Sequence, residues 1–320
     1  MNIELSPEAL AYGGTVRQAL ADAGGDQLVQ DAEREPAKRE NVFAPMLAEL
    51  GAWQLDPRDD ADDLEAAAAL CRAAGYWCVA YPLAERLSRP AGGDADGLVV
   101  VAGPRPAAAV ADLDLRWAAV TLDGRQGRVT AVRPDGPPRT ASFVATLDIT
   151  SAADTTAGDT VVEDTAARDL ALGLVLPCWT LLGMLDRALD LTREYVQVRE
   201  QFGQPLASFQ GVQFQLTDAE VERAGLAALA KYALWSVQAA QPAAVADALA
   251  LRLAAIDAAE IVFRVAHQLH GAIGFCDESP LSWLSRYSQP LRRLPLGLSA
   301  TRGALVAAIG RRGLEGLFNE

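Results

Sequence analysis

LTREYVQVREQFGQPLASFQGVQ, at residues 191–213, is the segment of this sequence with the clearest structural pattern. Its first half spaces apolar side chains three and four residues apart among charged ones, which is typical of an amphipathic helix. Gly203 and Pro205 then end that pattern, because glycine frees the backbone and proline has no N–H to donate. A new apolar periodicity starts at Phe209, so the stretch predicts two long helices joined by a tight break.

Long helical patterns continue on both sides of this break. The segment before it is apolar on every side from residue 170 to residue 185, which predicts a helix buried among other helices. Long helices of this kind form a bundle, and we expect a C-terminal four-helix bundle over residues 156–320. The predicted helices cover residues 166–199, 209–235, 242–270 with Pro242 at the first position, and 299–317, with short pieces at 280–288.

The N-terminal part of the chain is also helical by pattern. We expect an N-terminal helical domain over residues 1–91, with Ser6 as the cap of its first helix, because a serine oxygen can accept a bond from a free backbone N–H. Further helices are predicted over residues 37–50 and 60–74, and Gly75 is expected to interrupt the second of them.

The middle of the chain, residues 92–155, has a different composition. Short β-branched runs alternate with turn signals such as Gly103-Pro104 and Asp123-Gly124, which predicts a reduced antiparallel β-domain followed by a small-residue link at 151–164. The predicted fold class is therefore mainly α with a small β-domain. The predicted strands cover residues 98–101, 117–122, 128–132 and 142–147.

Composition excludes several classes of function. The net charge of −14 argues against nucleic-acid binding, which needs a basic face for the phosphate backbone. Two histidines and four cysteines without a C-x-x-C pair predict no metal site and reduced thiols. No charge-free apolar run reaches the ~20 residues of a membrane span. The N-terminus has no signal-peptide pattern, so we expect a cytoplasmic protein.

A second motif lies at the end of the helix predicted over residues 242–270. It covers His267–Phe275 and has the sequence HQLHGAIGF. Together with the R-x-x-F-G-x-P-L-x-x-F-Q pattern that starts at Arg199, it resembles the acyl-CoA dehydrogenases, which are FAD enzymes that desaturate acyl-CoA thioesters. The order of helices, strands and helices also resembles this family. One difference from the family pattern is Ala272, which stands where the second glycine of a pair is usual.

The resemblance implies a set of residues that hold the ADP half of an FAD bound mainly by a neighbouring subunit. An arginine suits this role because its planar guanidinium can bind a pyrophosphate with two hydrogen bonds. The residues implied to bind the cofactor are Arg199, Gln201, Phe202, Leu206, Phe209, Gln210, Gln268, Leu269, Gly271 and Ala272.

The catalytic glutamate of the family is missing at both places where the resemblance implies it. Counting from the motif glutamine reaches Pro295, and counting back from the motif arginine reaches Gly173. Asp169 lies one turn from Gly173, but its side chain is shorter than a glutamate. The two histidines, His267 and His270, are expected to pack at the end of a helix. We therefore predict no catalytic residue in this chain.

These features resemble the shortened, base-lacking subunits of actinobacterial heteromeric steroid-CoA dehydrogenases. The resemblance implies an α2β2 complex in which a longer subunit carries the glutamate, with an acyl-CoA as substrate and a separate electron-transfer acceptor. Two alternatives stay open. The chain could be a structural subunit that binds no flavin, or an autonomous homotetrameric dehydrogenase with an unrecognised base.

Overall fold

A computed structural model describes residues 2–90, 94–134, 143–151 and 160–312 of this chain. The buried residues of the N-terminal helices belong to one core that continues into the C-terminal helices. The first helix begins as predicted, with the Ser6 hydroxyl accepting from the Ala9 N–H at 3.2 Å. The helix predicted over residues 37–50 is divided into a π-helical turn and a short α-helix. The helical elements are α1 (Pro7–Asp22), α2 (Gln27–Arg34), the π turn (Arg39–Phe43), α3 (Ala44–Glu49), α4 (Ala61–Tyr76) and α5 (Leu83–Leu87).

The mixed sheet lies after these helices. Its strands are β1 (Gly97–Val101), β2 (Ala107–Ala108), β3 (Trp117–Thr121), β4 (Gln126–Pro134) and β5 (Ala145–Ser151), in the order β1-β3-β4-β5-β2. The expectation of a purely antiparallel domain was wrong for β1 and β3, which run parallel. The chain crosses from one edge of the sheet to the other between them, because β2 pairs with β5 at the far edge.

The C-terminal helices form the predicted bundle. It consists of α6 (Thr160–Val198), α7 (Gln210–Gln238), α8 (Ala244–His270), α9 (Pro280–Arg293) and α10 (Leu298–Arg312). Helix α8 begins two residues after Pro242, which is therefore not its first residue, and α9 is longer than the pieces predicted there. The residues predicted to extend the last helix to 317 lie outside the described part.

Helix α6 is the central element of the molecule. It packs against α4, α7, α8 and α9 and also lies against β1. Thr165–Val198 is long and apolar enough to cross a membrane by length and composition, but 78% of its most apolar window is buried inside the protein. That burial is the property of a core helix in a bundle. The domain boundaries at residues 91 and 155 stay predictions, because 91–93 and 152–159 lie outside the described residues.

Helices α4 and α6 approach so closely that their backbones touch. A Cβ on Gly75 would lie 1.9 Å from the Thr180 carbonyl oxygen, and a Cβ on Gly183 would lie 1.9 Å from the Arg72 carbonyl oxygen. The prediction that Gly75 interrupts its helix was therefore wrong, since this glycine lies within α4. It is a glycine because α6 leaves no space for a side chain.

We expect Gly75→Ala and Gly183→Ala each to lower the free energy of unfolding by about 3 kcal/mol or more, because a methyl group would force the two helices apart. Gly225→Ala is the matched control, since a Cβ there meets no atom within 4 Å and alanine favours a helix by about 1 kcal/mol over glycine. Chemical denaturation of the three variants measures the effect. Equal stability of all three would contradict the close contact.

Candidate functional site

The predicted break between α6 and α7 is a tight hairpin. Two short strands, β6 (Glu200–Gln201) and β7 (Gln204–Pro205), pair across it. Phe202 and Gly203, between the strands, have φ angles of 54° and 81°. Two successive residues with positive φ are typical of the tightest hairpin turns, and a glycine adopts that conformation without strain. The turn therefore holds Phe202 at its tip.

The side chains of this hairpin point outward. Phe202 is 93% exposed and meets Phe209 edge to face, with ring centroids 6.2 Å apart. Arg199 is also exposed, and within the described residues its guanidinium has neither an ion pair nor a hydrogen bond. Gln201 and Gln210 are exposed, whereas Leu206 is half-buried at the base of the turn. An arginine, an aromatic ring and two amides are thus available to a molecule outside the chain.

The second motif lies beside the first. Tyr195 on α6 stacks on His270 at the end of α8, with ring centroids 4.5 Å apart. His267 stacks in the same way on Phe275, at 4.3 Å. Burial is the main cause that lowers the pKa of both imidazoles, so both rings are neutral near pH 7. As expected, the histidines pack at the end of the helix, and Tyr195 joins the two motifs.

The end of α8 leaves backbone open to an approaching ligand. Gly271 has φ +64°, and a Cβ at this position would meet no atom within 4 Å. Gln268 and Ala272 are exposed, while Leu269 is buried, so Leu269 could offer only backbone atoms. The residues predicted to bind FAD therefore share one outer edge of the bundle. Arg199, Phe202 and Gln268 are exposed there, so a ligand could reach them from outside the chain.

The predicted positions of the catalytic base contain no free carboxylate. Asp169 is fully buried, where one of its oxygens pairs with Arg58 and the other accepts from the Gln126 amide at 2.9 Å. A Cβ on Gly173 would lie 2.5 Å from Cγ2 of Val100, which leaves no room there for a longer side chain. Asp169 thus joins the N-terminal part, the sheet and α6, and it cannot approach a substrate.

Gly173 and Pro295, although distant in sequence, line one small cavity between α5, the sheet and the bundle. Its volume is about 50 Å³, enough for a few water molecules but not for an acyl thioester. Arg252 reaches this cavity and donates to the carbonyl oxygens of Leu291, at 3.0 Å, and Leu296, at 2.7 Å. These bonds hold the segment around Pro295 against the cavity.

The cavity contains one carboxyl group that the sequence analysis missed. Glu85 on α5 lines it, and burial raises the pKa of Glu85 to about 7, since the charged form loses its hydration. No pattern in the sequence distinguishes this glutamate from other helix glutamates. Its environment becomes visible only when α5, β1 and α6 are packed together.

Trp117, the tryptophan of β3, has a structural role. Trp117 is 1% exposed, and its ring packs on Gly97, whose Cβ would lie 2.4 Å from it. Within the described residues, no three His, Cys, Asp or Glu side chains lie close enough together to hold a metal ion. The remaining candidate surface is therefore the outer edge formed by the hairpin and the end of α8.

One family model matches the C-terminal helices. The family described as "Acyl-CoA dehydrogenase, C-terminal domain" matches residues 165–307. Acyl-CoA dehydrogenase FadE27 from Mycobacterium tuberculosis is 34% identical over 141 residues, which are 41% of this chain and 36% of that protein. 3-Sulfinopropanoyl-CoA desulfinase from Paraburkholderia xenovorans is 37% identical over 108 residues, 33% of this chain and 26% of that protein. The alignments thus span 36% and 26% of these relatives' own lengths.

Solved structures with the same fold cover nearly the whole chain. A chain of the ChsE4-ChsE5 complex from Mycobacterium tuberculosis has a TM-score of 0.71 at 21% identity, covering 99% of this chain and 100% of that chain. Butyryl-CoA dehydrogenase from Megasphaera elsdenii has a TM-score of 0.69 at 14% identity, covering 97% and 100%. Residues 165–307 therefore match the acyl-CoA dehydrogenase C-terminal domain, and the chain has the acyl-CoA dehydrogenase fold.

Proposed function

We propose that this chain is a subunit of a cytoplasmic, flavin-dependent acyl-CoA dehydrogenase that works as an α2β2 complex with a longer subunit. The observation that carries the proposal is a contrast between two sites. The outer edge at Arg199, Phe202 and Gly271 is open to a ligand, whereas the cavity at Gly173 and Pro295 is nearly filled. A chain with this arrangement can complete a neighbour's site, but the cavity at Gly173 and Pro295 is too small for an acyl thioester.

The outer edge would contribute to binding the nucleotide half of FAD. Arg199 would pair with the pyrophosphate, Phe202 and Phe209 would pack on the dinucleotide, and Gln201, Gln210 and Gln268 would donate or accept hydrogen bonds. Leu206 supports the hairpin, and the backbone at Leu269, Gly271 and Ala272 would approach the ligand closely. When bound, FAD accepts the hydride that leaves Cβ of the acyl group. The partner would supply the glutamate that removes the α-proton.

The proposed substrate is an acyl-CoA, specifically a steroid side-chain CoA. Support for the steroid comes from the fold, since similar structures include the Tcur3481-Tcur3483 steroid ACAD, with a TM-score of 0.73 at 21% identity. The electrons would leave through a separate electron-transfer protein. The competing function is that of an autonomous dehydrogenase, and Glu85 is the observation that favours it, because its raised pKa suits a proton-transfer group.

Flavin content distinguishes these possibilities. We expect the chain purified alone to carry no flavin and to be insoluble or inactive, and the complex with its partner to carry fewer flavins than chains. Native mass spectrometry together with flavin absorbance measures both quantities. One flavin per chain, with acyl-CoA oxidation by the chain alone, would contradict the heteromeric proposal. A complex without any flavin would identify this chain as a structural subunit.

Arg199→Ala should weaken the affinity of the complex for flavin by roughly ten- to a hundredfold, because a charge-assisted hydrogen bond is worth about 1.5–3 kcal/mol. The flavin occupancy of the purified complex should fall accordingly. Assembly should be unaffected, since within the described residues Arg199 holds no other side chain. Arg302→Ala, which removes an exposed arginine of α10, is the control. The same flavin content in both variants would mean that Arg199 does not touch the cofactor.

Glu85→Gln should leave turnover of the complex within about threefold of the unaltered enzyme, because in the proposed complex the partner supplies the base. Removal of a true general base would instead cost about a hundredfold or more in turnover. This variant is a cleaner test than Asp169→Asn, since breaking the buried pair with Arg58 would cost about 3–5 kcal/mol of stability. A steady-state assay at equal flavin content measures the effect. A hundredfold loss with intact flavin would make Glu85 the base and this chain the catalytic one.

A further inference from the structure

A second and larger cavity lies on another face of the molecule, between α1, α4, α6 and α7. Its volume is about 500 Å³, which is within the ~300–1,000 Å³ range of small-molecule sites in proteins. None of its lining residues belongs to the cavity at Glu85 or to the hairpin at Arg199. We call it the arginine cleft, after the four arginines that line it, which are Arg17, Arg72, Arg193 and Arg223.

The floor of the arginine cleft is apolar and built from small side chains. Gly13 and Gly14 of α1 line it together with Ala69 and Ala73 of α4, and Gly13 packs directly on Ala69, whose Cβ would lie 3.0 Å from a Cβ on Gly13. A Cβ on Gly14 would meet no atom within 4 Å, so the empty space begins at the helix backbone. Leu10, which is 57% exposed, stands at the edge. An aliphatic group placed here would cover apolar surface that water now touches.

One end of the cleft is electrically balanced. Asp186 accepts two bonds from Arg72, at 2.6 and 3.1 Å, and a third from Arg223, at 3.3 Å. Arg223 also pairs with Glu220. Two guanidinium groups thus meet two carboxylates at this end. A ligand gains no net charge attraction from these four side chains.

The other end has an excess of positive charge. A single carboxylate, Asp190, forms ion pairs with both Arg17, at 3.5 Å, and Arg193. Asp190 also accepts a hydrogen bond from the Tyr76 hydroxyl at 2.8 Å. The side chains of Arg17 and Arg193 are 48% and 58% exposed, so both keep N–H groups available. On a chain with a net charge of −14, two arginines that share one carboxylate form a local exception.

We propose that the arginine cleft binds an aliphatic carboxylate, whose head group lies between Arg17 and Arg193 and whose chain lies on the floor at Gly13 and Gly14. A carboxylate matches the planar guanidinium with two parallel hydrogen bonds, and its single charge equals the excess at this end. The aliphatic body matches the floor of glycine and alanine. This site is separate from the proposed flavin edge and does not depend on the proposed function.

Other ligand classes match the arginine cleft less well. A cation would be repelled by Arg17 and Arg193. An aromatic ligand such as a nucleobase would need an open ring to stack on, but the face of Tyr76 is covered by Arg17, whose guanidinium carbon lies 3.4 Å from the ring centroid. A multiply charged anion would need a further unbalanced arginine, and Arg72 and Arg223 are already balanced by Asp186 and Glu220.

Isothermal titration with decanoate tests the proposal, in whichever preparation keeps the full chain in solution, alone or with its co-expressed partner. Decanol and decyltrimethylammonium have the same tail with a neutral or a positive head. We expect saturable decanoate binding and at least about tenfold weaker binding of the other two, since a charge-assisted hydrogen bond is worth about that factor.

Matched variants locate the site. Gly14→Leu fills the floor and Arg193→Gln removes one head-group donor, so each should weaken decanoate binding about tenfold. Gly225→Leu and Arg302→Gln, at exposed positions of α7 and α10, should leave it unchanged, and thermal unfolding checks that all four variants fold. Absence of saturable decanoate binding would overturn the proposal. So would equal affinity in all four variants, which would indicate adsorption of the detergent-like tail.

Discussion

Helices α4 and α6 cross in direct backbone contact at two glycines. Gly75 and Gly183 each face a backbone carbonyl oxygen of the other helix, so the two helices meet without side chains between them. Helix α4 also packs against α1, and α6 packs against α7, α8, α9 and β1. The contact between α4 and α6 therefore links the N-terminal helices to the element against which the sheet and the bundle pack. Gly75 and Gly183 make this close contact possible because glycine has a hydrogen atom in place of a side chain.

Local signals made much of the fold predictable. Helix starts such as Ser6, the hairpin at Gly203 and the β-branched strands could be recognised because their causes lie within a few residues. The errors have long-range causes. Gly75 looks like a helix break until α6 is placed beside it, and the parallel pairing of β1 with β3 depends on a crossover that turn residues do not indicate. Residue patterns therefore predict local secondary structure more reliably than they predict which distant segments pack together.

The candidate site likewise has features that were visible in the sequence and features that depend on packing. Each of its two motifs could be found from sequence, and the stack of Tyr195 on His270 explains how they come to share one edge. The sequence also shows that Gly173 and Pro295 stand where a glutamate was expected. It does not show that both positions line a single cavity, or that Glu85 lies there, because those facts depend on the packing of α5 and the sheet against α6. A glutamate becomes a distinctive acid only through the groups that exclude water from it.

The contact between Arg58, Asp169 and Gln126 has a consequence for how the chain unfolds. These residues come from the N-terminal part, from α6 and from the sheet, and the buried charges of Arg58 and Asp169 are compensated only while the three regions are together. A segment that separated would leave a charge or an amide in an apolar interior without its partner, at a cost of several kcal/mol. The three regions, which differ so clearly in composition, are thus coupled into one cooperative unit, and none of them is an independent module that could be removed or exchanged on its own.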